Sequence, residues 1–398
     1  MIITGAVIGG IPLPACDILS AVTVRHGRDS WGAAPTASVA EITVTRSTVP
    51  PWTAGDTLVL LTARGPAFTG RITDRAATRD SGSIVIDVAA SGALADLART
   101  RIGDEPWPPE PVEQRAERIL TLAAPHGGWD IQRPVTEATV LPRDVDSKAA
   151  LDILNELTTS TAAALFDTPD GRIVWQPLTA RRKETTRATW EDQGTRTWSQ
   201  AQHTWAATPG TGGRPVTVIP PCAVAAGPAW ASDAGTIVNS VGVTWGVAED
   251  GGQQRPQADW SHPGSIARHG LRRATLTTEL ADEADALLRA SRIIAQQHTD
   301  RWEITGVTVL GRELTDPWLV GGLRCGDWVS VDGLQLDGSR FVGIVEGWVL
   351  EQDTDGLGTD ATLTLAVSSP GLSLAGARWV DTGGRWMDQG TRWDGEAA

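Results

Sequence analysis

The sequence predicts a mainly β protein with an α+β insertion. We expect two related antiparallel β-barrel or sandwich domains, a small α+β module and a short Trp-rich C-terminal extension. Three observations support this fold class: strand-like alternation near both ends, a turn-and-strand pattern that occurs twice, and helical spacing between the two copies. At 398 residues the chain is long enough for two or three domains, each with its own core.

The first β-barrel domain is predicted over residues 1–103. Apolar and polar residues alternate over residues 40–45 and 84–89, as in strands with one buried face. Between these runs, Gly55-Asp56 forms a turn signal, and a strand containing Phe-x-Gly follows at residues 68–72. This order of elements indicates a small antiparallel barrel or sandwich.

The second β-barrel domain is predicted over residues 236–370, with a helix at 282–298. Here Gly326-Asp327 is followed by Phe341-Val-Gly343 and by an alternating strand. The spacing from Gly to Phe is 13 residues in the first copy and 15 in the second. A Gly-Asp turn before a strand is common, so chance is one explanation. The ordered set of turn and strands favours a duplication.

An α+β module is predicted over residues 104–185. Apolar residues at spacings of three and four indicate helices at 111–124 and 147–159. A β-hairpin follows at 162–177, with its turn at Asp170-Gly171. Residues 186–235 are predicted to contain a Trp-repeat hairpin and a Gly/Pro-rich linker.

Charge and composition exclude several functions. The net charge is -14, the opposite of the basic surface that nucleic-acid binding requires, so we expect no specific nucleic-acid binding. Acidic charge would suit the wall of a conduit through which DNA slides, because like charges repel, although simple solubility is the plainer explanation. The longest apolar runs are too short to span a membrane, so we expect no membrane insertion. The apolar start has no preceding Lys or Arg, so we expect no secretory signal.

The motifs of common enzymes and metal sites are missing from the sequence. The three cysteines lie far apart, and no HExxH, CxxC, GxSxG or Walker pattern occurs. Residues 353–360 resemble a calcium loop but lack its closing Glu. We therefore expect no catalytic residues, no metal and no cofactor, and predict that the chain is not an enzyme.

A Trp-x-Asp-x-Gly-x-Arg motif occurs three times, starting at Trp190, Trp379 and Trp386. The last two copies lie in the predicted C-terminal extension, residues 371–398. Their indoles could staple small hairpins, dock on a neighbouring protein or form platforms for a cell-wall sugar, since Trp is favoured at interface hot spots. The candidate partner-docking residues are Trp379, Arg385, Trp386, Arg392 and Trp393.

Several segments together resemble the minor tail proteins of siphophages that infect actinobacteria, a baseplate hub (tail-tip hub) family. They are Leu19–Trp31 (LSAVTVRHGRDSW), Gly55-Asp56, Phe68–Ile72 (FTGRI), Asp96–Gly103 (DLARTRIG), Ile237–Trp245 (IVNSVGVTW), Ser265–Arg272 (SIARHGLR) and Asp282–Ala286 (DEADA). The resemblance spans almost the whole chain and contains no catalytic residue.

The resemblance implies a structural protein of the virion tail tip, assembled in the host bacterial cytoplasm. In that family two similar barrels per chain form a homotrimeric ring that continues the sixfold tail tube and lines the DNA channel. The implied partners are the distal tail protein, the tape measure protein and a central fibre, spike or other minor tail protein. The chain departs from hubs with a fused peptidase or lysozyme, so we expect no cell-wall cleavage.

Two other functions remain as alternatives. A carbohydrate-binding tail protein could use its Trp residues as platforms on host-wall glycan. A peptidoglycan hydrolase would need a carboxylate pair that comes together only in the fold.

Overall fold

We describe the chain from a computed structural model. It describes residues 3–14, 17–18, 22–30, 33–80, 82–132, 138–177, 216–225, 228–232, 234–247, 255–300, 303–314, 323–335, 338, 340–352 and 361–368. The strands before the first helix are β1 (Gly5–Ile8), β2 (Ile11–Pro14), β3 (Val22–Gly27), β4 (Val39–Arg46), β5 (Thr57–Thr62), β6 (Gly65–Asp80) and β7 (Ser83–Ser91).

Short strands and helices alternate in the next part of the chain. They are α1 (Leu94–Arg99), β8 (Arg101–Ile102), β9 (Glu110–Pro111), α2 (Val112–Ala123), β10 (Trp129–Ile131), β11 (Thr139–Val140), β12 (Lys148–Ala149), α3 (Ala150–Thr161), β13 (Ala164–Asp167) and β14 (Ile173–Gln176). The two predicted helices are therefore present as α2 and α3. The predicted hairpin is β13 and β14, which pair antiparallel.

The remaining elements lie between residues 216 and 368. They are β15 (Val216–Ile219), β16 (Ala229–Ala231), β17 (Ser240–Thr244), β18 (Gln257–Ser261), α4 (Pro263–His269), β19 (Arg273–Thr277), α5 (Glu283–Gln297), β20 (Glu303–Leu310), β21 (Trp328–Val331), β22 (Phe341–Gln352) and β23 (Ala361–Ser368). Short 3-10 turns occur at Pro221–Ala223, Ala234–Thr236 and Gly311–Glu313.

Strands from both ends of the chain form one large sheet. Within the described residues it contains 13 strands, with the path β16-β20-β23-β22-β3-β4-β7-β6-β5-β1-β2 and with β21 and β15 branching from β22. One hydrophobic core lies against it and contains residues from both β regions, among them Leu60, Phe68, Val329 and Phe341. The predicted mainly β fold with an α+β insertion is confirmed.

A second hydrophobic core holds the helical part of the molecule. It contains buried residues of α2 and α3, such as Ile119 and Leu154, together with Val241 of β17 and Ile294 of α5. We predicted residues 236–300 as part of the second barrel domain. Their buried side chains instead complete the α+β core, because β17 and α5 each present an apolar face to it. The predicted domain boundaries otherwise remain a prediction.

The two β regions repeat the same strand order. We name β3, β4, β7, β6 and β5 the first unit, and β16, β20, β23, β22 and β21 the second unit; in both, the strands are neighbours in that order. The two Phe-x-Gly segments lie at the start of β6 and of β22. The predicted duplication is therefore present, and the units are joined edge to edge in one sheet.

Strand register is conserved between the units. In the first unit Leu58 lies opposite Gly70, and in the second Val329 lies opposite Gly343. Each long strand then has an irregularity at the same position relative to its Phe-x-Gly, between Ile72 and Asp74 in β6 and between Val345 and Gly347 in β22. The shared pairing and the shared bulge support a duplication, because register is free to differ between unrelated sheets.

The Gly-Asp turns also have matching hydrogen bonds. The amide of Gly55 donates to the Ile72 carbonyl at 2.8 Å, and that of Gly326 donates to the Val345 carbonyl at 2.7 Å. In each turn the aspartate accepts from a backbone amide three residues earlier, Thr53 at 2.6 Å and Arg324 at 2.8 Å. The aspartate thus closes each turn and fixes the start of the following strand.

Each Phe-x-Gly places an aromatic ring over a glycine. A Cβ on Gly70 would contact the Phe68 ring at 2.5 Å and would also meet the Ser91 carbonyl. A Cβ on Gly343 would contact the Phe341 ring at 2.6 Å and the Ser368 carbonyl at 3.3 Å. The ring covers the backbone at both sites, so glycine is required for close packing.

We predict that Gly70→Ala lowers the free energy of unfolding by roughly 1–3 kcal/mol, as overpacking of a well-filled core does. Gly306→Ala is the matched control in β20, because its Cβ would meet only the Leu365 carbonyl, at 3.5 Å. Denaturant unfolding at one protein concentration measures both. Equal effects of the two substitutions would contradict the packing account.

Candidate functional site

The two units meet where β22 pairs with β3, and we call this the joint. Six residue pairs form an antiparallel ladder from Gly347 opposite Gly27 to Gln352 opposite Val22. The paired residues lie more than 300 positions apart in the chain. The part of β22 after its bulge therefore carries the sheet from one unit into the other.

A buried ion pair lies at the start of the joint. The guanidinium of Arg28 donates to the Glu346 carboxylate at 2.9 Å, with side chains only 10% and 1% exposed. Ser368 of β23 donates to the other Glu346 oxygen. Since Glu346 is the bulge residue of β22, the irregularity places a charged group where it can bind the neighbouring unit.

Tight packing and further hydrogen bonds complete the joint. Gly27 has φ +75°, and a Cβ there would meet the Cys325 sulfur and the Glu346 carbonyl. The imidazole of His26 lies 4.5 Å from the Trp348 ring. At the far end, the side-chain amide of Gln352 exchanges two hydrogen bonds with the backbone of Ile3, of 2.7 and 3.3 Å.

A buried polar cluster ties the joint to the α+β module. The Ser38 hydroxyl lies 2.5 Å from Nδ1 of His26 and also contacts the Asp167 carboxylate of β13. Nε2 of His26 donates to the Ala67 carbonyl at 3.0 Å. Asp167 accepts from the amides of Ser38, at 3.1 Å, and Leu94, at 3.4 Å. No local motif predicts this cluster, because its members come from distant segments.

This Ser-His-Asp set is not arranged for catalysis. All three side chains are buried, so a substrate has no access to the hydroxyl. The serine lies between the other two, whereas a nucleophilic triad places the histidine there. Burial lowers the pKa of His26, and the nearby Asp167 carboxylate opposes that shift. The cluster therefore acts as a structural connection.

Opposite the core, the sheet has a polar face. Along most of β3, β4, β7 and β23, residues buried in the core alternate with more exposed residues on this face. Threonines are frequent on it, and neighbouring strands contact through them, as in Thr43 donating to Asp87 at 2.6 Å. The threonines of the polar face are Thr23, Thr43, Thr45, Thr308, Thr362 and Thr364.

Acidic residues outnumber basic ones on the polar face. A cross-strand row in the order Glu351, Thr23, Glu41, Ala89, Asp74 carries three carboxylates. Among the described residues of β20, β23, β22, β3, β4, β7 and β6, the face has the acids Glu41, Asp74, Asp87 and Glu351 and the arginines Arg25 and Arg71. The surface is therefore broad, polar and mildly acidic.

The candidate docking residues Trp379, Arg385, Trp386, Arg392 and Trp393 lie outside the described residues. So do the first Trp motif at Trp190 and most of the predicted linker. Of the helices in the described ranges, none has the length and hydrophobicity that crossing a bilayer requires.

We predict that Glu346→Gln lowers the free energy of unfolding by about 3 to 5 kcal/mol, because it leaves the buried Arg28 guanidinium without its carboxylate. Glu351→Gln, on the exposed polar face of the same strand, should change it by less than about 0.5 kcal/mol. Chemical denaturation of both variants at one protein concentration measures the difference. Similar losses would mean that the ion pair does not stabilise the joint.

Comparison with known proteins shows what this fold resembles. No family model matches the chain, and no curated protein matches it. Among solved structures, a tail protein from Neisseria meningitidis MC58 is similar with a TM-score of 0.62 and 13% identity, covering 92% of this chain and 96% of that one.

Two further structures have the same fold over nearly their whole length. The 43 kDa tail protein of prophage MuSo2 from Shewanella oneidensis has a TM-score of 0.58 and 13% identity, covering 92% of this chain and 98% of that one. The prophage tail protein gp18 from Listeria monocytogenes EGD-e has a TM-score of 0.55 and 10% identity, covering 91% and 93%. At these identities the likeness is one of fold.

Proposed function

We propose that this chain is a structural protein of a bacteriophage tail tip, a hub that forms a ring around the DNA channel. The observation that carries the proposal is the pair of units with one strand order and one register, joined edge to edge within a single chain. The three similar solved structures are tail proteins, which supports the same structural role here. The siphophage assignment rests on the sequence resemblance alone.

Two equivalent units per chain suit a ring between parts of different symmetry. Three copies would supply six units, which can continue a sixfold tail tube, while the ring as a whole offers threefold symmetry to a central fibre or spike. Cyclic assemblies of identical chains are a common form of closed symmetry. We therefore propose a homotrimer that contacts the distal tail protein and the tape measure protein.

The polar face suits the wall of the DNA channel. DNA carries about one negative charge per 1.7 Å of its axis, so a wall that is to release it must avoid clusters of arginine and lysine. The polar face has more carboxylates than guanidiniums, and threonine side chains cover much of the rest. Mild repulsion and short polar side chains would let DNA slide past without binding.

A structural role requires no catalytic group, and we propose that the chain is not an enzyme. The buried Ser38, His26 and Asp167 cluster is accounted for by its contacts between the sheet and the module. No observation among the described residues favours glycan binding or hydrolysis over assembly. Residues 371–398 remain the proposed docking segment for the next tip component.

We predict that the purified chain forms a trimer, so that the mass in solution is three times 42.1 kDa. Light scattering coupled to size-exclusion chromatography measures this mass across a range of protein concentrations. A stable monomer or dimer at all concentrations would contradict the ring.

For the docking segment, we predict that Trp386→Ala with Trp393→Ala leaves the trimer intact but prevents attachment of the next tip component, because indoles dominate the energy of many interfaces. The matched control is Trp260→Ala in β18, an exposed tryptophan outside the segment. Electron microscopy of tails assembled with each variant measures attachment. Normal tips with the double variant would contradict docking. If the double variant assembles normally but loses binding to host-wall glycan, a carbohydrate-binding role would be favoured.

A further inference from the structure

The two long strands, β6 and β22, differ in one respect. After its bulge, β22 has a neighbour on each side, β23 and β3. The corresponding part of β6, residues 73–80, pairs with β7 on one side, and no strand in the described part of the chain pairs with its other side. We call residues 73–80 the β6 arm. The arm thus has an open backbone edge where its counterpart forms the joint.

The β6 arm is also more exposed to solvent than the corresponding segment of β22. Every residue from Thr73 to Arg79 is exposed. In β22, the corresponding residues from Glu346 to Gln352 are buried, except for the half-buried Val349 and the exposed Glu351. The same segment is therefore packed against a neighbouring strand in the second unit and exposed to solvent in the first. A sheet edge left open in this way presents unpaired backbone groups for another strand.

The second open edge belongs to β16, the counterpart of β3. An isolated bridge joins Ile18 to Val44 ahead of β3, and a matching bridge joins Val224 to Val309 ahead of β16. β3 then pairs with β4 and β16 pairs with β20, so that Thr23 opposite Glu41 matches Ala229 opposite Gly306; the β16–β20 register shifts after Ala229. β3 has β22 as its other neighbour, whereas β16 pairs only with β20 among the described residues.

We propose that the β6 arm of one copy pairs antiparallel with β16 of the next copy and so repeats the joint between chains. The inference rests on the proposed ring and names the surfaces that close it. In the joint Glu351 lies opposite Thr23. Their counterparts by register are Thr78 and Ala229. These two residues should therefore lie opposite each other across the interface.

The pairing is head to tail, because the β6 arm and β16 are different surfaces. A contact of this type generates a ring when its rotation closes, and an open fibre when it does not. Because the contact between chains would use the counterparts of the strands that form the joint, successive units around the ring would be related in a similar way. The polar face would then continue from chain to chain around the ring.

The side chains of the β6 arm are consistent with a specific partner. The arm contains Asp74, Arg75 and Arg79, and charged residues on an edge strand oppose indiscriminate pairing. It has no proline, so every residue of the arm carries a backbone N–H, and the Arg75 amide, which donates to the Asp74 carboxylate at 2.8 Å, would exchange that bond on pairing.

Cysteine cross-linking between differently tagged copies tests the pairing. Cys16, Cys222 and Cys325 are replaced by alanine, and one tagged chain then carries Thr78→Cys while a second carries Ala229→Cys. The two chains are co-expressed and treated with a short bifunctional thiol reagent. We expect a linked pair containing both tags on a denaturing gel. Since each chain has one cysteine, this product can form only between copies.

The matched control replaces Thr78→Cys by Val145→Cys, an exposed residue of the α+β module, and should give no linked pair with Ala229→Cys. A second pair, Ala76→Cys with Ala231→Cys, tests the same register two residues further along. If the chain is a trimer but neither pair cross-links, the proposed pairing is wrong and the proposed ring is unaffected. Linkage of two Thr78→Cys copies to each other would also overturn it. A monomer at every concentration would overturn both the pairing and the proposed function.

Discussion

The antiparallel ladder between β22 and β3 is the contact on which the rest of this structure depends. It joins the two ends of the chain, and the large sheet and its shared core follow from it. The buried Arg28 and Glu346 pair stabilises one end of the ladder, while Gln352 attaches the beginning of the chain at the other. Without this ladder the two units would each expose an edge and would lose their common hydrophobic core.

Much of the fold was predictable because it depends on local patterns. Alternation identified the strands, spacings of three and four identified α2, α3 and α5, and the repeated Gly-Asp and Phe-x-Gly identified the duplication. These signals have physical causes that act within a few residues. Aspartate closes each turn, and each phenylalanine ring covers the glycine two positions later.

The joint and the buried cluster could not be predicted from the sequence. Alternation shows which side chains face the core, but it does not show which strand lies beside which. The partners Gly27 and Gly347, like Ser38 and Asp167, come from distant segments and share no local motif. The same reason explains why residues 236–300 were predicted with the second barrel, whereas β17 and α5 complete the α+β core. The predicted Trp docking residues lie outside the described residues and stay a prediction.

We propose that one chain contributes two equivalent units to a closed ring. The most direct measurement is the symmetry of purified assemblies in electron-microscopy class averages and the reconstruction built from them. We expect a ring of six similar lobes that has threefold symmetry at higher resolution, with the acidic polar face toward the central hole. A ring with an odd number of lobes, an open filament, or a single lobe per chain would contradict it.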